Sequence, residues 1–185
     1  MIKIFLSSLM LALVGQAGYC QAKLPAQQLL DSVIRKAQTE KKNVFVSFSA
    51  SWCGPCKELK RGLHDVYNVQ FFERNYVLLE LHGSEIGEKK RNENPGTRDI
   101  ILKYDGDTSS LPYWMILNAK GAKLLDNFIK KDKNAIKREN IGFSYNPPDS
   151  KIFLEAIKKT SKLTDAELLL IKERFNQLTR AVLED

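Results

Sequence analysis

After Pro25, the residues Ala26, Leu29, Leu30, Val33, Ile34 and Ala37 recur three and four apart, which predicts an amphipathic helix ending at Lys41-Lys42. Val44-Phe45-Val46-Ser47-Phe48 is a short, nearly unbroken apolar run rich in β-branched and aromatic residues, the pattern of a strand buried on both faces. From Cys53 to about Tyr67 the residues suit a second helix, with Leu59, Leu63 and Val66 along one side. Val77-Leu78-Leu79-Glu80-Leu81 predicts a second buried strand. The polar stretch 83–96 reads as a surface loop with room for one helical turn, and Arg98 to Tyr104 as a short helix.

Leu111 to Leu117 predicts a third strand, and the turn residues Asn118-Ala119-Lys120-Gly121 lead into a fourth through Leu124 and Leu125, making a hairpin. Residues 127–140 are charged and aperiodic and read as an inserted loop before Ile141-Gly142-Phe143. A helix from Asp149 carries Ile152, Phe153, Ala156 and Ile157. In the last helix Thr164 and Glu167 form a capping box and Leu163 and Leu168 a hydrophobic staple, while Leu168, Ile171, Phe175, Leu178 and Val182 make one apolar stripe. Helices alternating with strands and closing on a hairpin predict an α/β fold with helices on both faces of a central mixed sheet, plus an extra C-terminal helix.

The amino terminus stands apart. Lys3 precedes the apolar run Ile4–Val14, which ends in small and polar residues, the anatomy of a signal peptide. The run is too short to cross a bilayer, which takes about 20 apolar residues, and no transmembrane helix is expected. Cleavage after Ala22 fits the small-residue preference, with Gly15 and Ala17 a second choice. Lipid modification of Cys20 is the competing outcome, but Tyr19 is bulky where such sites want a small residue. The expected division is a signal peptide over 1–22, one domain over 23–163, and a C-terminal helix over 164–185 packed on or appended to it. The expected location is periplasmic or otherwise exported.

Charge changes the picture little. The net charge of +7 is spread among acids, as in Glu88-Lys89-Lys90-Arg91-Asn92-Glu93, and no aromatic residues interleave the basic ones as a nucleic-acid groove requires. Three cysteines are too few for a disulfide framework in 185 residues, yet Cys53 and Cys56 lie three apart at a strand-to-helix junction. There the chemistry follows from position. Unpaired backbone N–H groups and the positive end of a helix dipole favour a thiolate, and Lys57, Lys60 and Arg61 add positive potential. Cys53 is therefore the expected nucleophile toward a disulfide and Cys56, one turn further in, the resolving thiol. Gly54 and Pro55 set their spacing, proline being tolerated in a first turn where its missing N–H has no helical partner. Trp52 is expected to cover the site.

Two other readings fit the pair. A zinc site would use it as two of four ligands, but the only histidines, His64 and His82, share no ligand spacing, and solvated or hydrogen-bonded roles suit them better. A permanent structural disulfide is the other, in an oxidising compartment.

The motif Trp52-Cys53-Gly54-Pro55-Cys56-Lys57 resembles the active site of the thioredoxin-like family, and Leu111-Pro112 followed by an apolar strand and Gly121 resembles that family's cis-proline segment and hairpin. The resemblance spans roughly residues 26–160 in element order, and the phrase from Ala37 to Lys57 is similar to exported bacterial members. It implies the thioredoxin fold, a cis Pro112 lying against the cysteines, and a backbone edge at Leu111 offered to the substrate chain, with Gly142 near the same groove. It also marks a departure. Ser47 stands where the family commonly has a buried aspartate six residues before the first cysteine, and Glu80 where it often has a buried lysine. Glu80 is thus the candidate carboxylate for deprotonating Cys56, an exposed edge position being the alternative.

Together these features predict a thiol-disulfide oxidoreductase that reduces protein disulfides outside the cytoplasm. It would use no cofactor and bind no nucleic acid, and it would draw electrons from a membrane-bound donor. Gly-Pro between the cysteines resembles the reducing members, near about −270 mV, rather than the strongest oxidant of the group, near about −120 mV. The alternative is a non-catalytic binding or chaperone module that meets partners through the 127–140 insert.

Overall fold

Strand β1 (Asn43–Ser49) is buried from Val44 onward because it lies inside a four-stranded sheet of order β2-β1-β3-β4. In this computed structural model, which describes residues 23–130 and 137–184, β2 (Tyr76–His82) runs parallel to β1 while β3 (Tyr113–Leu117) runs antiparallel to it. Strand β4 (Lys123–Asp126) closes the expected hairpin with β3. The run Ile4–Val14, Cys20 and the cleavage point at Ala22 lie outside the described residues.

Alternation along the strands divides the core into two layers. Val44, Val46, Phe48, Val77, Leu81, Tyr113, Met115 and Leu117 form one, together with α1 (Ala26–Glu40) and α4 (Thr97–Lys103). Phe45, Tyr76, Trp114 and Ile116 face the other way, toward α2 (Gly54–His64), α3 (Val69–Asn75), α5 (Asp149–Thr160) and α6 (Asp165–Glu184). This is the mixed sheet with helices on both faces that the pattern predicts.

The helix expected to reach Tyr67 instead stops at His64. The Asp65 carboxylate accepts the Tyr67 N–H at 3.0 Å, and the Asp65 carbonyl takes those of Asn68 and Val69, so local bonds compete with the helical ladder. Val66 is 74% exposed rather than part of the apolar side, and a separate helix, α3, brings Phe71 and Phe72 into the core. A 3-10 helix over Gly87–Asn92, about two turns long at three residues per turn, lies within the loop 83–96, where one turn was expected. Tyr113 and Trp114 are fully buried core aromatics. The inserted stretch is not wholly irregular: β5 (Phe128–Ile129) pairs with β6 (Glu139–Asn140), and residues 131–136 lie outside the description.

Helix α6 begins with the expected capping box. The Thr164 hydroxyl accepts the Glu167 N–H at 3.3 Å and the Glu167 carboxylate accepts the Thr164 N–H at 2.8 Å. Its stripe Leu168, Ile171, Phe175 and Leu178 enters the same core layer as Phe153, so the helix is packed on the domain; the side chain of Val182 lies outside the description. Phe175 meets Phe143, Tyr145 and Phe153 with ring centroids 5.3–5.9 Å apart. Gly62 permits this approach, since a Cβ there would sit 3.1 Å from both Phe175 and Tyr145. Arg174 also grips the Asp65 carboxylate with two bonds, of 2.9 and 2.8 Å, and these hold its pKa below the usual carboxylate range.

Candidate active site

A turn joins β1 to α2, in which the Cys53 N–H donates to the Ala50 carbonyl at 3.0 Å. Extended backbone at Cys53 makes it the N-cap of α2, and its sulfur accepts the Cys56 N–H at 3.2 Å. Pro55 falls in the first helical turn, where no N–H is required of it. The two sulfurs are joined as a disulfide with 5.3 Å between the Cα atoms, which is the oxidised form of the pair expected to react. Cys53 is 2% and Cys56 3% exposed, while Gly54, Pro55 and Lys57 are open to solvent and Trp52 is half exposed.

Leu111 packs directly on Ala50, Cys53 and Cys56, and the Leu111–Pro112 peptide is cis, as the sequence resemblance implies. The Pro147–Pro148 peptide is cis too and was not anticipated. Gly142 adopts a left-handed backbone at φ +64°, which favours glycine, and lies beside Pro112, where a Cβ would make ordinary contact with the ring at 3.8 Å. Leu111 thus meets the cysteine pair, and the adjoining Pro112 lies against Gly142.

Glu80 lies half-buried on β2, an edge strand of the sheet. It pairs in register with Ser47 on the face that α2 covers, but its carboxylate receives Lys60 Nζ at 2.6 Å and lies 3.7 Å from His82 Nε2. It lines a small cavity of about 60 Å³ with Ser47, Lys60, Leu63 and His64, and neither cysteine lines that cavity. The partners of the Glu80 carboxylate are thus Lys60 and His82. His82 is half buried, and burial lowers its pKa despite the opposing pull of Glu80. His64 is exposed. Among the described residues no group of three or more His, Cys, Asp or Glu side chains is placed to hold a metal ion.

Sequence reasoning missed two polar clusters. Asn127 is fully buried; its amide donates to the carbonyls of Pro112 at 2.9 Å and Gly142 at 3.3 Å, and its Oδ1 accepts the Trp114 N–H at 3.2 Å. Asn140 continues the network, accepting from Asn127 at 2.8 Å and donating to the Ser110 carbonyl at 3.0 Å. The β5-β6 hairpin is thereby tied to the segment carrying Pro112. The second cluster joins Ser51 and Trp52 to Ser84 and Glu85 in the loop after β2. No residue pattern announces either one, because each is a set of single asparagine, serine or glutamate positions far apart in the chain.

A family model described as thioredoxin-like matches residues 26–119. Solved structures similar to the chain include a disulphide isomerase from Xylella fastidiosa Temecula1, at 16% identity over 59% of this chain and 75% of that one, with a TM-score of 0.44. Thioredoxin O2 from Arabidopsis thaliana in its oxidised state is 17% identical over 76% of this chain and 94% of its own, with a TM-score of 0.45. The N21Q mutant thioredoxin from Halobacterium salinarum NRC-1 is 15% identical over 77% and 91%, with a TM-score of 0.43. No curated protein sequence matches the chain.

Proposed function

The chain belongs to the thioredoxin-like family, and we propose that it is a thiol-disulfide oxidoreductase that reduces protein disulfides through Cys53 and Cys56. The observation carrying this reading is the Cys53–Cys56 pair itself, at disulfide distance on the N-cap of α2 and packed against Leu111 beside Pro112. In the reduced protein the Cys53 thiolate attacks one sulfur of a substrate disulfide. The substrate S–S bond breaks, its second sulfur leaves with the electron pair and takes a proton, and a mixed disulfide remains. Cys56 loses its proton and attacks Cys53 Sγ, which releases the second substrate thiol and forms the Cys53–Cys56 bond. Two electrons pass to the substrate, so a donor must restore the dithiol after each turnover.

Because the Glu80 carboxylate is paired with Lys60, water is the proposed acceptor of the Cys56 proton. The test is reduction of insulin with dithiothreitol as electron source. Wild-type protein should speed precipitation of the insulin B chain well beyond dithiothreitol alone and Cys53→Ser should not. Equal rates with and without wild-type protein would favour the non-catalytic binding module.

The proposed setting is the periplasm or another exported space, with a membrane-bound electron donor, and it rests on the leader-like run Ile4–Val14. Intact mass of the exported protein should give a chain starting at Lys23 with two cysteines. A diacylglycerol adduct on Cys20 would replace a free protein by an anchored one.

A further inference from the structure

We propose that Glu85 is a positioning residue for Cys53, holding the turn that presents it and keeping a negative charge beside it that favours the disulfide over the thiolate. This rests on the reductase reading and deepens it.

The turn Ala50–Cys53 has Ser51 and Trp52 as its central residues, and the loop after β2 holds both. Gly83 is anchored to the end of β1, its N–H donating to the Ser49 carbonyl at 3.0 Å. Ser84 adopts a left-handed backbone at φ +59°, uncommon for a residue with a Cβ, and its carbonyl accepts Trp52 Nε1–H at 2.8 Å. Glu85 is 4% exposed, and each of its carboxylate oxygens has a partner on Ser51: the backbone N–H at 2.8 Å and the hydroxyl at 2.7 Å. Glu93 completes the loop by accepting the Glu85 N–H at 2.7 Å. Two consecutive residues of the loop thus hold the two residues that precede the nucleophile.

A neutral amide would nearly serve as a clasp, so the charge calls for a reason. Burial pushes the Glu85 carboxyl up, but the two bonds from Ser51, with His82 on β2 and Lys89 in the loop, outweigh it and leave the group below the usual carboxylate range. Glu85 is therefore ionised at neutral pH. A fixed negative charge held on Ser51, two residues before Cys53, opposes the thiolate, destabilises the dithiol form and makes the protein a better reductant. It works against the helix dipole and Lys57, so the potential reflects the balance of the two.

Glu85→Gln keeps the shape and one acceptor while removing the charge. In glutathione buffers its equilibrium should shift about threefold to tenfold toward the dithiol, a rise of up to about 30 mV for the two-electron couple. The pH midpoint of Cys53 alkylation should fall with it. Ser51→Ala keeps the charge but removes one donor, so it should shift the equilibrium toward the disulfide. If Glu85→Gln does not fold, the Ser51→Ala result decides alone. A folded Glu85→Gln protein with equilibrium and alkylation midpoint within twofold of wild type would overturn the proposal, as would Ser51→Ala shifting the same way as Glu85→Gln or not at all. The equilibrium needs no protein substrate. A protein inactive on insulin that still shows the Glu85→Gln shift would lose the reductase reading and keep this one.

Discussion

Cys56→Ser should accumulate mixed disulfides with protein substrates, whereas Cys53→Ser should trap few and lower disulfide reduction by about 10³-fold or more. The asymmetry follows from position. Cys53 is the N-cap residue of α2, next to exposed Gly54 and Pro55, so in the dithiol form its sulfur faces the unpaired N–H groups of the helix start. Cys56 lies one turn further along α2, with its sulfur 3.9 Å from the Phe48 carbonyl, and is expected to meet a substrate only through Cys53. Non-reducing gels of Cys56→Ser incubated with a disulfide-bonded protein check this through higher-mass bands that dithiothreitol removes. The absence of such bands, with abundant bands for Cys53→Ser, would reverse the roles.

Phe175→Ala should destabilise the protein by about 3–5 kcal/mol, a typical cost of truncating a buried phenylalanine. Phe175 is 1% exposed and touches three other rings, so truncation opens a cavity between α6 and the layer containing Phe143, Tyr145 and Phe153. For a domain of this size that corresponds to a fall in Tm of roughly 6–20 °C. Leu169→Ala on the same helix, at a residue 52% exposed, should stay within about 0.5 kcal/mol of wild type. Thermal melts of both variants measure the difference, and a melting point for Phe175→Ala equal to that of Leu169→Ala would show that α6 is an appendage rather than part of the core.

The apolar runs revealed the sheet, because β1 and β3 are buried by their own composition, whereas β2, expected to be buried, is an edge strand with Leu78, Leu79 and Glu80 only half-buried. The cysteine pair and the proline were legible for a similar reason: each is a contiguous motif whose chemistry depends on near neighbours. The break at Asp65 was hidden because it depends on side-chain bonds, one from Arg174 more than a hundred residues away. The β5-β6 pairing was hidden because strands of two residues have no periodicity to detect. Glu80 shows the limit at the site itself. Its place in the β2 run was evident, but its ion pair with Lys60 depends on how α2 lies across the sheet. Glu85 and Asn127 owe their importance wholly to tertiary contacts.

The central claim is that Cys53 is the activated thiol, and its most direct test is alkylation of the reduced protein with iodoacetamide across pH 4–9, each cysteine being followed by peptide mass mapping. Cys53 should be labelled first, with a midpoint below the value of about 8.5 for a free thiol, while Cys56 stays largely protected. Labelling of Cys56 first, or of both residues together with a midpoint near about 8.5, would contradict it.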